Sequence, residues 1–193
     1  MRLRKVGSAV FLVGLPALVF AADSIGEGRA PGHRDEPPAG FSGGFGEQAC
    51  DACHFSFDVN AMPGALQILG APPRYAPGET YPLTLLLTRP GMAVGGVQLT
   101  ARFEKGGAQA GSLMPAEGEA SRLTVSSSFD IEYAQHLRTG TALVAADTAR
   151  WTVLWTAPES GGAVQFNGAA NAANQDDSQF GDYIYTAVEI SGP

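Results

Sequence analysis

Residues 148–156 read TARWTVLWT. In an extended chain successive side chains point to opposite faces, so Trp151, Val153 and Trp155 share one face and Thr152, Leu154 and Thr156 the other. Two tryptophans at that spacing, followed by the turn sequence APESGG (157–162), describe a strand with one face buried. The same period recurs on both sides of it. In TYPLTLLLT (80–88), Leu83, Leu85 and Leu87 oppose Thr84, Leu86 and Thr88; in 97–103, Val97, Leu99, Ala101 and Phe103 oppose Gln98, Thr100 and Arg102. Further turn signals stand at APG (76–78), RPG (89–91) and KGG (105–107). Strands are predicted over 65–70, 80–88, 94–104, 107–113, 122–128, 129–136, 148–156, 162–169 and 182–190. No stretch of helical length carries an apolar face. The fold class expected is all-β, an antiparallel sandwich over 65–193, with Trp151, Trp155, Phe166, Leu85, Leu87, Leu99 and Phe103 in its core.

Composition agrees. Charged residues make up 16 % of the 193, well under the roughly 25 % of average proteins, and 25 Gly and 13 Pro follow no collagen-like repeat. A coiled coil, a helical bundle and a collagen are thereby excluded. The net charge of −7 opposes binding to a nucleic-acid backbone. Arg2, Arg4 and Lys5 precede an apolar run from Ala9 to Phe20, and Val19 and Ala21 occupy the −3 and −1 positions of a small-residue cleavage site. Residues 1–21 therefore read as a cleaved secretory signal, and the mature chain as periplasmic or secreted. The run is shorter than the ~20 residues of a membrane span and Pro16 interrupts it, so no transmembrane anchor is expected. Residues 22–64, rich in Gly, Pro and polar residues, read as an extended arm.

The arm holds both cysteines, in Cys50-Asp51-Ala52-Cys53-His54. C-x-x-C-H is the pattern of covalent c-type haem attachment. Two thiols three residues apart reach the two vinyl groups of one porphyrin, and the next residue, His54, lies under the iron as proximal ligand. One covalent haem c is the expected cofactor, with Cys50 and Cys53 as thioether anchors. Three alternatives remain at this point, a chance occurrence of the pattern among them. A Cys50–Cys53 disulfide suits an exported chain, although the motif lacks the strand and helix of a thioredoxin-like dithiol. Zinc would require a fourth ligand and, as a rule, a second close pair, which the sequence lacks.

A second axial ligand has several candidates: His136, His33, Met62, Met92 and Met114, or water. His136 ends the strand-like FDIEYAQH, far from the motif, as a ligand supplied by a folded domain would be. It is out of phase with Phe129, Ile131 and Tyr133. If those three face the core, His136 faces away from it, and the haem lies on the outside of the sandwich. Met62 follows His54 too closely to reach the opposite haem face.

The segments PPAGFSGGFGEQACDACH (37–54), YAPGETYPLTLLL (75–87), GGVQLTA (95–101), YAQH (133–136) and 151–186 resemble the Reeler-like domains of bacterial exported proteins labelled choice-of-anchor V, several of which carry C-x-x-C-H at their start. The resemblance spans about 37–190. It implies an immunoglobulin-like β-sandwich and carries the histidine of its Y-x-x-H stretch onto His136 as a candidate distal haem ligand. The function expected is an exported monohaem cytochrome, not an enzyme, passing single electrons to a redox partner with a basic docking surface. The alternative is a non-redox adhesion or carbohydrate-binding module with a Cys50–Cys53 disulfide. The oxygen-rich stretch Asn171–Asp182 is either a calcium loop or ordinary turn chemistry, and it lies where the resemblance is densest.

Overall fold

The computed structural model describes residues 35–193; the signal-peptide reading of 1–21 and the candidate His33 lie outside the described residues. Nine strands make up the body: β1 (Ala65–Leu69), β2 (Thr80–Thr88), β3 (Val94–Phe103), β4 (Ser112–Pro115), β5 (Leu123–Ser128), β6 (Ile131–His136), β7 (Thr148–Thr156), β8 (Val164–Ala173) and β9 (Tyr183–Ser191). They form two antiparallel sheets, ordered β1-β2-β7-β4 and β5-β6-β3-β8-β9. The protein is an all-β, immunoglobulin-like sandwich. The helical elements among the described residues are two 3₁₀ turns, Cys50–Ala52 and Arg138–Thr141. No described helix is long and apolar enough to cross a membrane.

The alternating pattern does what its period demands. Leu83, Leu85 and Leu87 of β2, Trp151, Val153 and Trp155 of β7, and Val97, Leu99 and Ala101 of β3 are all buried in one cluster between the sheets. Trp155 meets Phe166 edge to face at 4.8 Å between ring centroids. Each indole N–H is satisfied inside the core: Trp151 donates to the Gly140 carbonyl at 2.7 Å and Trp155 to the Ala110 carbonyl at 2.8 Å. Phe103 sits at the rim, partly buried against the same cluster.

Three expectations need correction. The strand expected at 107–113 is β4, Ser112–Pro115. Gly106, Gly107 and Gly111 take positive φ, which only glycine adopts freely, and they spend most of that segment on a turn. The strand expected to stop at 169 runs on to Ala173, so Asn171 belongs to β8 and not to a loop. Its small residues carry no β-branched signal. They are there because Gly168 lies beneath Leu66, Ile68 and Leu85, where an added Cβ would come within 3.3–3.4 Å. The third concerns phase. Ala134, not Tyr133, joins the core cluster, and Tyr133 and Gln135 point to the outside of the five-stranded sheet.

That outside face is covered by the arm. Residues 35–64 cross it and are fastened by side chains that a solvent-facing surface would not bury. Gln98 of β3, 1 % exposed, uses its whole hydrogen-bonding capacity. Its Oε1 accepts the Gly40 and Phe41 N–H groups at 3.1 and 2.6 Å, and its Nε2 donates to the Pro38 carbonyl at 2.9 Å and to Gln135 Oε1 at 3.0 Å. Glu47 pairs with Arg102 at 2.6 Å and accepts the Tyr133 hydroxyl. Gly44 lies on Asn167 so closely that an added Cβ would fall 2.2 Å from its Cγ. Further along, Asn60 bonds both backbone and side chain of Thr186, and Tyr185 donates to the carbonyls of the Ala61–Pro63 stretch. The described part of the segment that composition marks as an arm, residues 35–64, is extended but packs on the folded body.

Candidate functional site

The C-x-x-C-H segment lies over β8 and β9. The Cys50 carbonyl accepts both the Cys53 and the His54 N–H, at 3.2 and 3.0 Å, which winds the five residues into one tight turn. Asp51 stabilises its start by accepting the Ala49 N–H at 3.2 Å. Ala49 and Cys50 pack on Ala169 and Ile184, a small apolar contact on the outer face of the sheet. Both cysteines are free thiols. Burial pushes the Cys50 thiol up to about 12.

His54 projects onto the row formed by Asn171 of β8 and the end of the β8–β9 loop. Its Nδ1 lies 2.7 Å from Asp182 Oδ2, and Asp182 is 2 % exposed. Asn171 Nδ2 donates to the same carboxylate oxygen at 3.1 Å and stands 3.2 Å from the ring nitrogen. Because Asp182 accepts, Nδ1 carries the proton, and Nε2 keeps its lone pair for a metal. Asp182 is turned under His54, with its other oxygen on the Asn174 N–H at 3.2 Å, so it does not join Asp176 and Asp177 in a calcium loop. Among the described residues no group of three His, Cys, Asp or Glu is close enough to hold a metal ion. The zinc reading of Cys50, Cys53 and His54 needs such a group; a haem iron takes its equatorial nitrogens from the porphyrin and does not.

His136 reaches the same face from the opposite side of the sheet. The β3–β6 ladder ends at the pair Gln98↔Gln135. Beyond it the His136 ring takes the place of a backbone partner: the Val97 N–H points at Nδ1 from 3.0 Å, and the Val97 carbonyl is 3.2 Å from the same atom. The ring lies against Gly96, where an added Cβ would be 2.9 Å from Cε1. Gly96 turns away from the core, since its neighbour Gly95 faces Ala149 and Trp151, and Gly96 pairs with Asn171 across β3 and β8. His136, Gly96 and Asn171 thus make one row leading to His54. Burial lowers the basicity of His136, and the Val97 bond partly offsets this.

The other candidates fall elsewhere. Met92 is buried in the core, Met114 is exposed on the four-stranded sheet, and Met62 is almost fully exposed beside the arm. Around His54 the surface is aromatic. Phe55 and Phe180, both more than half exposed, meet edge to face at 5.4 Å, and Phe57 stacks on Tyr183 at 3.9 Å. The Ser56 hydroxyl accepts the Gly181 N–H at 2.8 Å and ties the two segments together. Asp182, Asn171, Gly96 and Gln98 carry no motif. Asn171 and Asp182 bound the oxygen-rich stretch read as a calcium loop or turn chemistry, while Gly96 and Gln98 lie among small or polar residues on a strand face, which read equally well as solvated surface.

No family model matches the chain, and no curated protein matches it. Solved structures similar to it include the Reelin-N domain of F-spondin, 20 % identical over 75 % of this chain and 96 % of that one with a TM-score of 0.48. The human F-spondin reeler domain is 19 % identical over 69 % and 92 %, with a TM-score of 0.45. A cohesin from Acetivibrio cellulolyticus is 8 % identical over 64 % and 98 %, with a TM-score of 0.38.

Proposed function

We propose that the protein is an exported monohaem c-type cytochrome, carrying one covalent haem on the arm-covered face of the sandwich and passing single electrons. The observation that carries this reading is the Asp182–His54 contact of 2.7 Å immediately after the cysteine pair. A histidine whose Nδ1–H is committed to a carboxylate has only Nε2 to offer, which is the usual arrangement of a metal-binding imidazole. The donor set fits the group. Cys50 and Cys53, three residues apart in one turn, would form the thioethers, and His54 and His136 are the imidazoles that would hold the iron. Bound haem supplies an iron that cycles between ferric and ferrous states by one electron.

The chain's own residues then have distinct tasks. The turn at Cys50–Ala52 sets the spacing of the thiols and His54. Gln98, Glu47 and Asn60 hold the arm in register over the sheet. Val97 holds the His136 ring. Phe55 and Phe180 offer apolar surface beside His54, where a porphyrin needs apolar contact and partial exclusion of water. The acidic chain would meet a basic redox partner through charge steering weakened by salt. Residues 1–21 would direct export, since covalent haem is attached outside the cytoplasmic membrane. The alternative is a non-redox adhesion or carbohydrate-binding module in which Cys50 and Cys53 form a disulfide.

The test is the reduced visible spectrum of the protein exported in a host with haem-attachment machinery. Sharp α and β bands of a thioether-bound, six-coordinate haem are expected. A colourless, correctly processed and folded product overturns the reading and leaves the module.

A further inference from the structure

Asp182 is a buried carboxylate that pairs with no Lys or Arg among the described residues; its side-chain partners are the His54 imidazole and the Asn171 amide. A buried charge without a permanent counter-ion is costly, and a hydrogen-bonded imidazole recovers only part of that cost in a surface domain of this size. The surrounding groups hydrogen-bond both of its oxygens and aim it at His54. The Asn174 N–H donates to Oδ1 at 3.2 Å, and Asn171 Nδ2 donates to Oδ2 at 3.1 Å. Asn171 does so at its own expense, because its Oδ1 is buried without a hydrogen-bond partner. Turning the amide over would set oxygen against the Asp182 carboxylate at the same separation, two acceptors facing each other. The Asn171 amide thus serves the carboxylate, and the carboxylate serves His54.

We infer that Asp182 is a positioning residue for His54, holding it in the Nδ1–H tautomer and giving it partial imidazolate character that lowers the reduction potential of the iron it binds. This rests on the haem reading of Cys50, Cys53 and His54. A carboxylate behind a ligating imidazole raises the ligand's basicity, and a more basic ligand with a nearby negative charge favours the ferric over the ferrous ion. The two histidines are therefore unequal. His54 is a strong donor made by a buried charge, whereas His136 is held by a neutral backbone amide.

Two measurements test this, and they separate it from the haem reading. Long-range ¹H–¹⁵N spectra of the full mature chain, produced without haem attachment, report the His54 tautomer directly. The Nδ1–H form is expected in the wild type and its loss in Asp182→Ala. An Nε2–H form in the wild type overturns the inference whether or not haem is ever bound, and needs no variant to fold. In the haem-loaded protein, Asp182→Asn is expected to raise the midpoint potential and change the low-spin ferric EPR signal while the covalent haem is retained. A haem-loaded Asp182→Asn protein with wild-type potential and EPR signal overturns the inference and leaves the haem reading standing. A wild-type protein that never acquires haem overturns the reading, while the tautomer measurement still decides what Asp182 does to His54.

Discussion

His54 and His136 reach the same face of one sheet by opposite routes. His54 arrives on the arm, partly exposed, and is held by a carboxylate whose own partners are all hydrogen-bond donors. His136 ends β6, is buried, and is held by the backbone of Val97, whose N–H and C=O both lie within reach of Nδ1. The first environment fixes one tautomer. The second accepts either, so binding a metal through Nε2 requires the proton to settle on Nδ1 and the bond to pass from the Val97 N–H to the Val97 carbonyl. The difference teaches that the arm holds its imidazole in one committed state and the sandwich holds its own in an exchangeable one.

The largest effect should come from removing each imidazole in turn. His54→Ala is expected to abolish stable haem incorporation in the exported protein. His136→Ala is expected to keep the thioethers and convert a low-spin spectrum to high-spin, read in the visible and by EPR. Equal losses in the two variants would erase the asymmetry. Next comes the joint between arm and sheet. Gln98→Leu strands the Gly40 and Phe41 N–H groups and the Pro38 carbonyl, and should cost about 2–4 kcal/mol in urea unfolding, at roughly 1–3 kcal/mol per stranded group with some rehydration. It should also loosen His54 while leaving the β-sheet circular dichroism intact. A loss within error of zero would mean that the arm is not anchored there.

Gly96→Ala sharpens the comparison from the other side. Its Cβ would crowd His136 Cε1 at 2.9 Å without touching His54. About 1–3 kcal/mol of destabilisation is expected from such overpacking, with a mixed-spin haem spectrum. The smallest effect is kinetic. Burial keeps Cys50 protonated in the folded, haem-free chain, with its pKa near 12. Native-state alkylation followed by peptide mass mapping should therefore modify Cys50 slowly, and denaturation should remove the protection. Rapid native labelling of Cys50 would show that the arm does not sit on Ala169 and Ile184.

What could be read from sequence was local or periodic. The Trp151–Val153–Trp155 and Leu83–Leu85–Leu87 faces announce buried strands because burial on one side forces period two. Cys50, Cys53 and His54 stand out because covalent attachment of a porphyrin would demand that spacing. What stayed hidden depends on contacts across long separations. Gln98 meets Gly40 and Phe41 at separations of 58 and 57 residues, and nothing in its neighbourhood distinguishes it from a solvated glutamine. The same blindness explains Tyr133. An apolar-looking strand face was expected to meet the core, and it meets the arm instead, through Glu47. His136 was expected on the outside, and its ring does lie against outward-facing Gly96, but because β6 leaves β3 there and not because Tyr133 faces inward. Asp182, within a stretch of Asn and Asp, resembled turn chemistry or a cation loop until His54 was brought 2.7 Å from it.

The most direct measurement is the intact mass of the mature, exported protein under denaturing conditions, which strip every non-covalent cofactor. The account predicts the polypeptide mass increased by one haem, localised by peptide mapping to the segment containing Cys50 and Cys53. A mass equal to the bare chain, or lighter by the two hydrogens of a Cys50–Cys53 disulfide, would contradict it.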